Sequence, residues 1–285
     1  MADTTTCMFS DALTEDEERF TEHAVGALST VSWAEPLLGR LRRAGGICSR
    51  SKPLLFEVRF AFALHQAGVV AQYEHKTGVG GSTVDFRIKT SVEWLIELAS
   101  VRASDAARRA TRRRGHLLEQ RFSSSSSDPA QSREAEMITA QQKIGEKVFA
   151  RGRPTKFPVP QGTLHVILTD MRGYLDKGGD FDDYRQIAWG WRGLTSETNW
   201  KVLQWPPASG RPICGLFENR ENHPLQATSL IQERIHFLGF VCERRYCDGE
   251  IRDRSYYLPN LCLFSNQEEA NEAFDRYPLA PKKPC

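Results

Sequence analysis

Apolar residues recur at helical spacing in three runs near the start of the chain, and their flanking residues give each run a beginning and an end. Thr14-Glu-Asp-Glu17 has the form of a capping box followed by acids suited to a helix N-terminus, so a helix is expected from about Glu15 to Ser29. A second run, Trp33 to Arg43, stops at Gly45-Gly46. Ser51 caps a third, with Pro53 in its first turn and Gly68 as its stop. Leu54, Val58, Ala61 and Leu64 form the apolar stripe of that third helix, and Glu57 lies beside the stripe.

From Val69 the pattern changes. VVAQY reads as a strand and GVGGS as a loop; two short apolar segments follow, joined by a turn-like IKTS. These segments carry Asp85 and Glu97. Three strands in quick succession after a helix predict an antiparallel meander packed against it. Alternation puts Glu97 and Ala99 on one face of their strand, with Ile96 and Leu98 on the other.

A helix is expected next from about Ser132 to Ala150, then a Pro-rich connector from Arg153 to Gly162. The run LHVILTDM that follows is uninterrupted and apolar, as in the middle of a sheet. A helix feeding such a strand predicts a crossover back onto the sheet. Further on, Leu225 to Ile235 reads as a helix, with strands at Phe237 to Cys242 and Ser255 to Leu258. Trp189, Trp191, Trp200 and Trp205 fall in a Gly/Pro-punctuated region with no clear periodicity, where packing is the stronger reading and stacking on bases the weaker. There is no internal repeat.

The order α-β-β-β-α-β predicts an α/β fold in three parts. Residues 1–50 form an N-terminal helical segment. Residues 51–175 form an α/β core with a basic, Ser-rich insertion at about 103–131. Residues 176–285 form an extension that completes or flanks the core.

Length and composition suit a globular protein with ample core. A net charge of +2 gives no global attraction to a polyanion, but its distribution is uneven. Val101 to Arg121 holds seven arginines against Asp105 and Glu119, whereas the first 22 residues hold seven acids against Arg19 alone. Arg102, Arg108, Arg109, Arg112 and Arg113 are candidates for phosphate contact, the last four sharing one face if this stretch is helical. A solubilising insertion is the plainer alternative, and five consecutive serines follow.

The seven cysteines are scattered and odd in number. With no basic-then-apolar leader and no run of roughly 20 apolar residues, a cytoplasmic protein with free thiols and no membrane partner is expected. Cys242 and Cys247 lack a second ligand pair for zinc. His65, His75, His116, His165 and His236 show no zinc-hydrolase spacing. GVGGS lacks the ending of a phosphate loop.

The chemistry concentrates in the meander. Carboxylates within apolar strand segments are costly unless compensated, and a divalent cation such as Mg²⁺ compensates them well. The plain alternative places both acids on the solvated face of a half-exposed sheet, with Glu93 at the surface. Glu57 either assists such a site or is a helix-flank residue paired with Arg59 or a lysine. Lys143 and Lys147, four apart, share a face of the expected helix; they could touch a phosphate or form a routine surface pair.

A helix bearing Glu57, a strand bearing Asp85 and a next strand bearing Glu97 resemble the core of the PD-(D/E)xK nuclease superfamily, over roughly Ser51 to Met171. The resemblance implies a restriction-endonuclease-like fold, a mixed sheet flanked by helices, and metal-dependent hydrolysis of nucleic acid, with DNA as the expected substrate. It implies Mg²⁺, or Mn²⁺ in its place, held by Asp85, Glu97 and the Leu98 carbonyl, with Glu57 assisting. The family lysine two residues beyond Glu97 is Ala99 here. Lys143 or Lys147 would stand in for it, with Gln142 as a polar partner from the same helix. Ala99 equally suits a catalytically inactive nucleic-acid-binding or assembly module. The sequence leaves homo-oligomerisation open.

Overall fold

The computed structural model describes residues 13–102, 104, 111–114, 117–120, 133–175, 178–193, 213–218 and 223–281. The first three helices lie close to where the pattern predicts them: α1 (Glu15–Leu28), α2 (Glu35–Arg43) and α3 (Lys52–Gln66). Thr14 caps α1 by accepting from the Glu17 amide at 3.1 Å. Only half of the capping box forms, because the Glu17 carboxylate is buried against Arg59, Arg172 and Lys52 instead. Helix α3 is buried at every position from Leu54 to Leu64 and is therefore an interior helix rather than one with a single apolar stripe.

Strands β1 (Ala71–Lys76), β2 (Thr83–Lys89) and β3 (Glu93–Ser100) pair antiparallel in sequence order. A short hairpin of β4 (Thr111–Arg114) and β5 (Leu117–Gln120) follows, and then helix α4 (Arg133–Gly145). After the small β6–β7 pair (Phe149–Ala150, Arg153–Pro154) the chain enters β8 (Thr163–Asp170), which lies parallel to β3. Helix α4 thus makes the expected crossover, and β8 occupies the middle of the sheet. The C-terminal part adds α5 (Phe181–Gly193), α6 (Thr228–Arg234), β9 (Phe237–Val241), α7 (Glu250–Asp253), β10 (Ser255–Pro259) and α8 (Gln267–Phe274). Strand β9 runs parallel to β8 and β10 antiparallel to β9. The result is a mixed α/β fold with an open six-stranded sheet in the order β1-β2-β3-β8-β9-β10.

Two apolar layers cover the sheet. One combines α1–α3 with Phe86, Trp94, Ile96 and Leu98; the other combines α4–α6 with Leu95, Ala99 and Ile167. The alternation along β3 is therefore as the sequence predicts.

Several boundaries differ. Helix α4 ends at Gly145, five residues short of expectation, and Lys147 lies in the turn beyond it. Arg112 and Arg113 lie on a strand and not on a helix, so the helical arginine face does not form there; Arg108 and Arg109 lie outside the described residues. Trp189 sits on α5 just before a break at Gly190 (φ 73°), and its indole N–H donates to the Pro259 carbonyl at 3.0 Å, a packing role. Trp191 belongs to the same helix, while Trp200 and Trp205 lie outside the described residues. Among the described residues no helix is long and apolar enough to cross a membrane, and the described cysteines are free thiols.

A buried ionic cluster ties the N-terminal helix to the sheet. Arg59 donates to both Glu243 carboxylate oxygens at 3.0 Å and lies 3.3 Å from Glu17. Arg172 reaches Glu17 and Asp170 at 2.5 Å and packs with Arg59 around Tyr246. Burial opposes ionisation of Glu17 and Asp170, but the neighbouring cations prevail and lower both pKa values. For Glu243 burial prevails and the pKa rises.

Candidate functional site

The β2–β3 register sets Phe86 opposite Ile96; carried on by one residue, it sets Asp85 opposite Glu97. Regular backbone pairing stops there. The Leu98 amide donates instead to the Asp85 carboxylate at 2.7 Å. Strand β2 is irregular at this point: Phe86 and Ile88 face the α1–α3 layer, but Val84 packs in the other. On the far side, Glu74 of β1 adopts φ 51°, a conformation that costs a non-glycine residue energy. Local distortion of two strands thus brings the Asp85 side chain to the β3 backbone. The Leu98 contribution seen here is its amide, whereas the expected one was its carbonyl.

Glu97 is fully buried, which excludes the solvated-face alternative for this residue. Its Oε1 lies 2.7 Å from Lys147 Nζ and 2.7 Å from Lys156 Nζ. Its Oε2 is buried with no hydrogen-bond partner among the described residues. Glu57 on α3 accepts from the Tyr73 hydroxyl at 2.6 Å and lies 3.4 Å from Arg40, which itself donates to Tyr73 at 2.6 Å. Its partner is thus Arg40, while Arg59 belongs to the separate buried cluster.

The three carboxylates feel one another. Burial, followed by the charges of Glu97 and Glu57, raises the Asp85 pKa well above the usual carboxylate range, against the pull of Lys147 and Lys156. Burial likewise raises Glu57, although the Tyr73 hydrogen bond and Arg40 oppose it. Burial disfavours the Lys147 ammonium, but Glu97 and Asp85 overcome that and raise its pKa. Three acids thus face three cations, the Lys147 and Lys156 ammonium groups and the Arg40 guanidinium.

Other expected residues fall elsewhere. Lys143 is exposed on α4, 2.9 Å from Glu146, because the helix ends before Lys147 and the two lysines part company. Gln142 is exposed; its neighbour Gln141 is buried and donates to the Ile187 and Cys214 carbonyls. Arg102 is exposed. Glu93 is half-buried and held by Arg87 at 2.6 Å. His165 and His236 are buried, and desolvation lowers their pKa values to about 3 and about 4.

Lys156 carries no signal in the sequence beyond being a lone cation in a Pro-rich connector. Its position comes from a contact between two loops. Ser82 accepts from the Lys156 amide at 2.7 Å and from the Thr155 hydroxyl at 2.9 Å, and Lys156 Nζ donates to the Thr83 carbonyl at 3.1 Å. Gly80, at φ 59°, allows this approach, since a Cβ there would lie 3.1 Å from the Pro154 carbonyl. The GVGGS turn therefore props the loop that delivers a cation to Glu97.

For a divalent cation, the unpartnered Glu97 Oε2 and the Asp85 carboxylate, whose pKa burial and the neighbouring acids raise, are the candidate donor oxygens. Among the described residues no group of three or more His, Cys, Asp and Glu side chains is gathered to hold a metal ion. Neither protein-family models, nor curated proteins, nor solved structures include a match to this chain.

Proposed function

We propose that this chain is a metal-dependent nuclease of the restriction-endonuclease-like type, acting on phosphodiester bonds of nucleic acid, with DNA as the expected substrate. The observation that carries the reading is the fully buried Glu97, set opposite Asp85, with the amine of Lys147 on one of its oxygens and the other oxygen unpartnered. The element order α3-β1-β2-β3-α4-β8 supports it as well.

In this reading Asp85 and Glu97 hold Mg²⁺, which when bound supplies an acidified water and neutralises developing charge on the phosphate. Lys147, whose pKa is raised, stays protonated at neutral pH and acts as a charge clamp rather than a base. Lys156 is the second amine. Glu57, whose pKa burial raises, is the group suited to take up a proton.

A supercoiled plasmid incubated with the protein and Mn²⁺ should be nicked, and chelator or Glu97→Ala should stop the nicking. Undiminished cleavage by Glu97→Ala would overturn the reading. One observation favours a second reading, a binding module without catalysis. Ala99 stands where the family lysine is expected and is buried in the apolar layer. A salt-sensitive mobility shift with no nicking under any divalent metal would select that reading.

A further inference from the structure

A cavity of about 350 Å³ opens over Glu93 and Leu95 of β3. It is lined by Leu95 and Glu93 of β3, by His75 and Lys76 of β1 with Thr77 just beyond it, and by Pro158, Val159 and Gln161. Leu95 and Glu97 share one face of β3 and are separated by about 7 Å. The cavity therefore continues the candidate site along the same sheet face.

Size and lining narrow the ligand. The volume is at the small end of ligand pockets, enough for one ring system with a substituent. Pro158 and Val159, the latter 58% exposed, offer apolar surface for a ring face above the buried Leu95. Gln161 and Thr77 add groups able to donate and accept at a ring edge. His75 is kept neutral at pH 7 by burial and by Arg87, and its buried Nδ1 has no partner among the described residues. The one acid present, Glu93, is held by Arg87 at 2.6 Å, so it repels an anion weakly. Lys76 lines the cavity and is exposed, a cation able to meet a phosphate.

We infer that this cavity seats one nucleotide, its base against Val159 and Pro158 and its phosphate towards Lys76. The source is either a unit of a strand whose neighbouring phosphate lies at Glu97 or a free nucleotide. The first source rests on the nuclease reading; the seat itself does not.

The test uses the full chain in chelator, so that no cleavage occurs, with two probes: a fluorescent 12-nucleotide single strand and free adenosine 5′-monophosphate. The variants are Val159→Asp, which places a carboxylate on an exposed wall without touching the core, and Lys76→Ala. Far-UV circular dichroism and the thermal midpoint check that each stays folded. Val159→Asp should weaken binding at least about tenfold, equivalent to about 1.4 kcal/mol, and Lys76→Ala by a smaller factor. Loss for the strand alone identifies a strand unit, and loss for both probes a nucleotide seat open to free ligand. Binding unchanged within twofold in Val159→Asp overturns the seat, as does failure of the wild type to bind either probe. Nicking by the wild type alongside an unaffected Val159→Asp sinks the seat and leaves the nuclease reading standing. Val159→Asp-sensitive binding without nicking does the reverse.

Discussion

Lys147 and Lys156 approach the same oxygen, Glu97 Oε1, each at 2.7 Å, from either side of the small β6–β7 pair between α4 and β8. One carboxylate oxygen shared by two amines is tightly held, and its companion oxygen, buried and unpartnered, is left for another cation. Removing Glu97 therefore affects stability as well as chemistry. Glu97→Ala should lose metal-dependent nicking entirely and lower the unfolding free energy by about 2 kcal/mol, the scale of hydrogen bonds to charged groups. Urea titration checks the second figure; an unchanged midpoint would show that the lysines do not depend on this partner.

Asp85 gives the opposite stability result. Its folded pKa is raised, so its favourable contribution is complete below the ordinary carboxylate range and disappears as pH climbs through the elevated value. At neutral pH the charge is a burden on the fold. Asp85→Asn keeps an acceptor for the Leu98 amide and should be at least as stable as wild type at pH 8, with the advantage shrinking towards pH 4. It should also be inactive. Millimolar Mn²⁺ should raise the thermal midpoint of the wild type and leave that of Asp85→Asn unmoved; equal shifts in both proteins would remove Asp85 from the metal site.

Lys143 and Lys147 separate cleanly by substitution. The Lys143–Glu146 pair is exposed and adds at most a few tenths of a kcal/mol, so Lys143→Ala should match wild type in nicking and in urea midpoint. Lys147→Ala should reduce the nicking rate by about 10²-fold or more, the scale of losing one donor to a developing charge. A comparable loss in both variants would mean that the helix continues past Gly145.

The cluster around Arg59 is a structural joint with its own pH signature. Arg59→Met leaves Glu243 buried without its main partner and removes one of three cations from Glu17, and should cost about 3–5 kcal/mol. The depressed pKa values of Glu17 and Asp170 add stability that is present above the ordinary carboxylate range and lost as pH falls through the folded values. Acid unfolding followed by circular dichroism should thus begin at higher pH in Arg59→Met than in wild type. Coincident acid transitions would show that the cluster contributes nothing to acid resistance.

Much of the fold was legible from local pattern. The three opening helices, the meander, the alternation that separates Glu97 from Ile96 and Leu98, and the buried central strand Thr163–Asp170 all follow from periodicity and turn residues, because each depends on neighbours close in sequence. The β2–β3 register from Phe86–Ile96 to Lys89–Glu93 follows likewise, since a short turn fixes it between consecutive strands. Helix ends were read less well. Arg133–Gly145 stops early where the chain turns into the small β6–β7 pair, and the helix Gln267–Phe274 was not anticipated. What only the tertiary structure decided is which cations meet the acids. Lys156 reaches Glu97 because two loops seventy residues apart hold each other through Ser82, and Arg40 and Tyr73 reach Glu57 across helix and sheet. A carboxylate on a strand announces itself by being out of place among apolar neighbours. The lysine that answers it stands in an ordinary loop, and only the folded chain brings them to 2.7 Å.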